Sequence, residues 1–236
     1  WIPITSIYKN IAGEIKVLLF AFISFGLIGL YDDIKKVFFA ISNQFFGIRL
    51  RYKLILEVIL SLIISYWLYT DFKITIINIP FLGVFDLGFF YILFAAFVIT
   101  AFANAFNITD GLDGLASGIL MIALASFWVI SYSILDTPLS LFISIWLGGI
   151  IAFLYFNIYP ARLFLGDVGS LSFGATLAVI GLLLGKTFSL LVIGGIFVAE
   201  IVSSLIQLLS KKYRGKYYYF LVINVVKIKF LVFNLK

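Results

Sequence analysis

The sequence predicts an all-α fold: a polytopic bundle of transmembrane helices, with residues 1–236 forming a single integral membrane domain. Three observations predict it. Hydrophobic residues fill 64% of positions and charged residues only 12%, with a mean hydropathy of +1.19, whereas a soluble domain is about half apolar and about a quarter charged. Apolar stretches near the roughly 17–25 residues needed to span a bilayer recur along the chain. The charges left over gather between those stretches, unequally on the two sides.

Taken in order, the expected spans are 15–31, 54–69, 88–106, 114–131, 138–156, 170–186 and 188–209. The loop after the first carries Lys35, Lys36, Arg49, Arg51 and Lys53. Arg162 follows the fifth span, and Lys211, Lys212, Arg214 and Lys216 follow the seventh. The opposite loops hold only Lys73 and Lys186, so ten basic residues face two. By the positive-inside rule the richer set is cytoplasmic. Residues 71–87 are rich in β-branched residues and partly alternate, predicting a short external β-hairpin between the second and third spans. Residues 217–236 form an atypical tail, apolar and strand-prone but interrupted by lysines. The chain opens at Trp1 and no signal peptide is apparent, which leaves processing or a fragment as explanations.

Composition also removes chemistry. There is no cysteine and no histidine, so thiolate nucleophiles, disulfides, Cys-bound zinc and imidazole catalysis are excluded. Proton transfer falls to Asp, Glu, Lys, Tyr or water. The net charge of +6 would suggest nucleic acid in a soluble protein; here it reflects topology, and no nucleic-acid partner is expected.

The threading places five of the eight aspartates on the predicted cytoplasmic face. Asp32 and Asp33 follow the first span, and one of them can face a reaction centre while the other meets Lys35 or Lys36. Asn107, Asp110 and Asp113 follow the third, at a spacing that puts them on one face of a helical turn. Such a face can bind a sugar or base or orient a hydrated cation, or Asp110 or Thr109 can simply cap the next helix. Asp167 follows the fifth, in a tight loop with Asn157 and with Phe164, an aromatic placed to stack on a planar base. Carboxylates without His or Cys favour Mg²⁺ or Mn²⁺ over zinc. With Lys36 and Lys53 nearby to neutralise phosphate, these groups point to phosphoryl transfer involving a lipid. Two glutamates stand apart. Glu57, one turn from the inner interface, is expected to snorkel outward and has no assigned role; Glu200, near the middle of the seventh span, is expected to join helices.

Four segments carry a resemblance: Gly26–Lys36 with Tyr31-Asp32-Asp33, Asn104–Ala116 with Asn107-Ile-Thr-Asp110-Gly-Leu-Asp113-Gly, Tyr159–Leu171 with Phe164-Leu-Gly-Asp167, and Ile193–Glu200. In these, over about residues 20–216, the chain resembles the polyprenyl-phosphate N-acetylhexosamine-1-phosphate transferases (glycosyltransferase family 4), and most of all their muramoyl branch. The resemblance implies transfer of phospho-MurNAc-pentapeptide from UDP-MurNAc-pentapeptide to undecaprenyl phosphate, giving lipid I and UMP in peptidoglycan synthesis. It implies Mg²⁺ held by Asp167, with Asp32 and Asp33 serving the lipid phosphate or metal-bound water as catalytic groups. Lys36 and Lys53 match phosphate-binding positions. Asn107, Asp110, Asp113, Asn157 and Phe164 match the nucleotide pocket, Phe164 stacking on uracil. A bacterial plasma membrane, a bilayer-embedded site on its cytoplasmic face, and a homodimer are further implications. The family also has spans ahead of the first one here and a His-bearing loop after the seventh, so a truncated copy is expected. The alternatives are a GlcNAc-1-phosphate transferase using UDP-GlcNAc, and an inactive truncated membrane protein.

Overall fold

The computed structural model describes residues 4–39 and 50–214 of the chain. Eight helices and one hairpin are seen: α1 (Ile4–Phe39), α2 (Leu50–Thr70), β1 (Ile76–Ile79), β2 (Gly83–Asp86), α3 (Phe90–Thr109), α4 (Leu115–Ser133), α5 (Thr137–Asn157), α6 (Gly166–Leu183), α7 (Thr187–Ile193) and α8 (Gly195–Arg214). Six are long and apolar enough to cross a membrane, namely Gly13–Phe38 of α1 and the whole of α2 to α6. The protein is a multi-pass membrane protein with the all-α class expected. Arg49, Lys216 and the tail at 217–236 lie outside the described residues.

Helix α6 is the centre of the bundle, with 67% of its membrane window buried, and it packs between α1 and α3. Its sequence explains this. Lipid tails are as apolar as leucine, so helices associate in membranes through close packing of small residues, and α6 carries Gly169, Ser170, Ser172, Gly174, Ala175, Thr176, Ala178 and Gly181. Helix α1 answers with Gly29, where any Cβ would overlap the backbone carbonyl of Asp167. The end of α1 and the start of α6 therefore touch main chain to main chain. By contrast α5 is peripheral, with only 17% of its window buried. It begins at Asp136, whose side chain accepts the Leu139 N–H at 3.2 Å, with Pro138 in the first turn, where its missing N–H leaves no bond unmade.

The hairpin appears where it is expected. Antiparallel pairing runs from Ile76 opposite Asp86 to Ile79 opposite Gly83, with Phe81 at the tip in a left-handed conformation. It joins the end of α2 to the start of α3, at the pole of the bundle opposite Asp32 and Asp167. The last expected span differs. Instead of one helix over 188–209, α7 and the first part of α8 (Gly195–Ser204) meet at a bend of 75°. Paired glycines at Gly194 and Gly195 supply the break. Phe197 of α8 stacks on Phe106 of α3 with ring centroids 4.9 Å apart, which ties the bent segment to the bundle. Glu200 is buried in α8, in the second turn after the bend rather than midway along a straight span. Its Oε1 takes no hydrogen bond among the described residues.

Candidate active site

Asp32 and Asp33 end the buried part of α1, Lys53 lies in the first turn of α2, Asn107 in the last turn of α3 and Asp167 in the first turn of α6. Four helices thus bring one polar group each, or a pair, to a common point. Lys36 Nζ and Lys53 Nζ both donate to Asp167 Oδ2 at 2.7 Å. Asn107 Nδ2 donates to the other oxygen, Oδ1, at 3.2 Å. Lys36 also lies 2.9 Å from Asp32 Oδ2 and 3.6 Å from Asp33 Oδ1, and Lys53 lies 3.5 Å from Asp32 Oδ2. Asp33 Oδ2 accepts the backbone N–H of Val168 at 3.2 Å.

Each contact follows from local sequence. Lys36 is four residues after Asp32 and three after Asp33, so it reaches both from the same helical face. Gly166 starts α6 with a φ of +66°, and a Cβ there would press on Asp33 Oδ2 at 2.8 Å; a larger residue would be strained by the turn and would crowd the carboxylate. Asp167 then sits in the first turn of α6, where the helix dipole favours a negative charge. It does not cap the helix, since the cap position is Leu165. Both aspartates of the 32–33 pair reach the same centre, and Lys35 turns away to lie 4.9 Å from the Tyr31 ring. Three carboxylates against two ammonium groups leave the cluster one net negative charge. The bridges of Lys53 to Asp32 and Asp167 are buried and therefore expensive to desolvate, and their worth here lies in orientation.

A second polar group adjoins the first. Asn157 Oδ1 accepts from Gly114 N at 3.1 Å and Ser117 Oγ at 2.7 Å, while its Nδ2 donates to Leu163 O at 2.9 Å. Asp113 Oδ2 accepts from Ala161 N at 3.0 Å. The start of α4 is in this way stitched to the loop 158–165. Phe164, on that loop, is 73% exposed, so its ring face is available to a ligand. Asp110 follows the last turn of α3, its N–H bonded to Phe106 O.

Three expectations are corrected by the structure. Asn107, Asp110 and Asp113 do not share one helical face, because α3 ends at Thr109 and residues 110–114 form a turn closed by Gly114 at a φ of +74°. Asn107 accordingly faces Asp167, whereas Asp113 faces the 158–165 loop. No side chain caps α4, so neither Asp110 nor Thr109 serves as the cap that was the simpler reading. Glu57 does not snorkel outward either: it is fully buried and accepts a hydrogen bond from Asn104 Nδ2. A donor was in reach on α3, and the carboxylate one turn below the surface bonds to it through Oε2, while its Oε1 takes no hydrogen bond among the described residues.

Residues 15–185 match the model of glycosyl transferase family 4. The chain belongs to this family. Family 4 relatives include the phospho-N-acetylmuramoyl-pentapeptide-transferase of Clostridium novyi, 40% identical over 86% of this chain and 62% of the relative. That of Caldanaerobacter subterraneus is 40% identical over 85% and 62%, and that of Clostridium kluyveri 36% identical over 92% and 68%. The chain spans about three fifths of the length of the first of these curated relatives. All the clustered residues from Asp32 to Asp167 fall inside the family 4 match.

Sequence reasoning gave no role to three residues that bond beside these clusters: Glu57, Asn104 and Ser117. One signal was available. Lys53, Glu57, Ser61 and Ser65 recur every fourth residue on an otherwise apolar helix, which marks a polar stripe turned inward.

Proposed function

We propose that the chain carries the catalytic centre of a transferase that moves phospho-MurNAc-pentapeptide from UDP-MurNAc-pentapeptide to undecaprenyl phosphate, releasing UMP. The convergence of Lys36, Lys53 and Asn107 on Asp167, beside Asp32 and Asp33, is the observation that carries it. A phosphate oxygen of the lipid attacks the sugar-bearing β-phosphorus, the new P–O bond forms, and the bridging oxygen leaves with UMP. Little covalent chemistry is asked of the protein in such a transfer, so positioning and charge stabilisation dominate.

Lys36 and Lys53 are the cations placed to balance phosphate oxygens. Asp32 and Asp33 hold those lysines and orient the lipid phosphate. Phe164 offers a face to uracil, and Asn157 and Asp113 fix the loop that carries it. The donor set suits Mg²⁺. Its carboxylates are hard oxygen donors with no His or Cys beside them, the kind of set that Mg²⁺ takes, one or two carboxylates completed by water and phosphate. Asp167, with Asp32 beside it, would hold the ion, which when bound supplies charge neutralisation at the phosphates. Basic residues predominate in the loops at this pole, so the site faces the cytoplasm of a bacterial cell. The names of the relatives favour a muramoyl substrate over UDP-GlcNAc.

The test is UMP release from membranes carrying this chain, with undecaprenyl phosphate and Mg²⁺. Release with UDP-MurNAc-pentapeptide and not with UDP-GlcNAc is the expected result. Release with UDP-GlcNAc alone would transfer the assignment to the sibling reaction, and release with neither would overturn it.

A further inference from the structure

Lys53 and Asn107 grip opposite oxygens of the Asp167 carboxylate, yet they ride on different helices. For both to arrive together, α2 and α3 must be held in one axial register. The structure contains a device at the right place. One turn deeper than Lys53, Glu57 accepts a hydrogen bond from Asn104 Nδ2, and Asn104 lies one turn before Asn107. The same amide nitrogen donates to Thr100 O at 2.9 Å, which fixes its rotamer. Another turn deeper, the hydroxyls of Ser61 and Thr100 meet at 2.8 Å. Glu57 is wholly buried, and Lys53, four residues earlier on the same face, is close enough for its charge to act on it.

A carboxyl group in this setting is costly and is kept for a reason. Apolar side chains alone would press α2 against α3 without defining how far one slides along the other, because lipid competes equally for such contacts. Directional polar contacts between helices do specify register, as a single buried asparagine does in a coiled coil. We infer that Glu57 is a positioning residue: through Asn104 it sets the register of α2 on α3, so that Lys53 and Asn107 close on the two oxygens of Asp167. This rests on Asp167 being the centre of the proposed transfer.

The experiment compares Glu57→Leu, Glu57→Gln, Asn104→Ala and the double variant Glu57→Leu/Asn104→Ala in the full chain, purified in detergent. Two readouts are taken. One is kcat and KM for UMP release. The other is the Mg²⁺ concentration giving half of the maximal thermal stabilisation, which needs no turnover. Glu57→Leu should lower kcat and raise the Mg²⁺ midpoint, each by about tenfold or more, the size seen when outer partners of a ligand are removed, with KM changed by less than about twofold. Glu57→Gln keeps an acceptor for the Asn104 amide and should stay within about twofold of the parent in both readouts. Asn104→Ala should match Glu57→Leu, and the double variant should be no worse than either.

The inference fails if Glu57→Gln is as damaging as Glu57→Leu, or if Glu57→Leu lowers only the unfolding temperature, as a mere helix adhesive would. Should Glu57→Leu not accumulate in folded form, Asn104→Ala reads the same link from the other helix. A parent chain that releases no UMP, but whose Mg²⁺ midpoint shifts with Leu and not with Gln, would remove the transferase reading and leave the positioning role standing. An active parent with unmoved variants would do the opposite. A parent whose stability ignores Mg²⁺ removes the centre that Glu57 is said to position, and overturns the inference.

Discussion

At the scale of single residues, Asp167 bears the most. It meets Lys36, Lys53 and Asn107 at once, so Asp167→Asn removes a charge to which two lysines are fitted. Turnover should fall by at least roughly 10²–10³-fold, the range for losing one preorganised polar group at a reacting centre, and UMP release measures it. Phe164 makes a separate prediction. Stacking of a base on an aromatic ring is worth about 1–3 kcal/mol, so Phe164→Ala should weaken the uridine substrate by about tenfold while the KM for undecaprenyl phosphate stays put. The reverse ranking would remove the stacking role. These residues stood out in the sequence because charges and amides are rare in this chain and each broke an apolar run. Glu57 and Asn104 were harder to read. Their meaning lies in a partner on another helix, and no spacing along one helix discloses which residue of the next will stand opposite.

At the scale of elements, the spans were legible because the bilayer sets their length, and the hairpin because its β-branched run had no place in a helix. The turn at 110–114 and the bend at Gly194 were not. Both depend on glycines, which helical periodicity treats as neutral and the folded chain uses as breaks. The contact of α1 with α6 yields a prediction of its own. Gly29→Val would drive a side chain into the Asp167 backbone, so overpacking of about 1–3 kcal/mol is expected, seen as a lower unfolding temperature together with weaker Mg²⁺ stabilisation. The start of α5 yields another. Burial pushes the Asp136 carboxyl above its usual range, against the opposing pull of the Leu139 N–H and the Glu14 side chain. A carboxyl raised in the folded state binds more protons there than in the unfolded chain, so stability falls as pH climbs from the ordinary carboxylate range through the raised value. Asp136→Asn retains a capping oxygen without the charge. It should therefore raise the unfolding temperature at pH 7, by roughly 2–4 °C per kcal/mol gained, and lose that advantage as the pH drops to the ordinary carboxylate range.

For the whole molecule, the two poles are chemically unlike. One gathers Asp32, Asp33, Asp167 and the lysines; the other carries an apolar hairpin with a fully exposed Phe81. Since the chain has no cysteine, single cysteines at Tyr159 and Phe81 can be labelled cleanly in intact cells with a membrane-impermeant maleimide. Labelling at position 81 and protection at position 159 is the expected pattern, and equal labelling of both would overturn the orientation. The enclosure of α6 between α1 and α3 has one more consequence. Local opening costs least where few buried contacts must be broken, and α5, on the rim, meets that description. The helix that carries Asp167 does not: it cannot fray without parting two neighbours. Amide hydrogens around Leu171 and Ala175 should therefore exchange only when the whole bundle comes apart, leaving the Asp167 carboxylate as fixed as the fold itself.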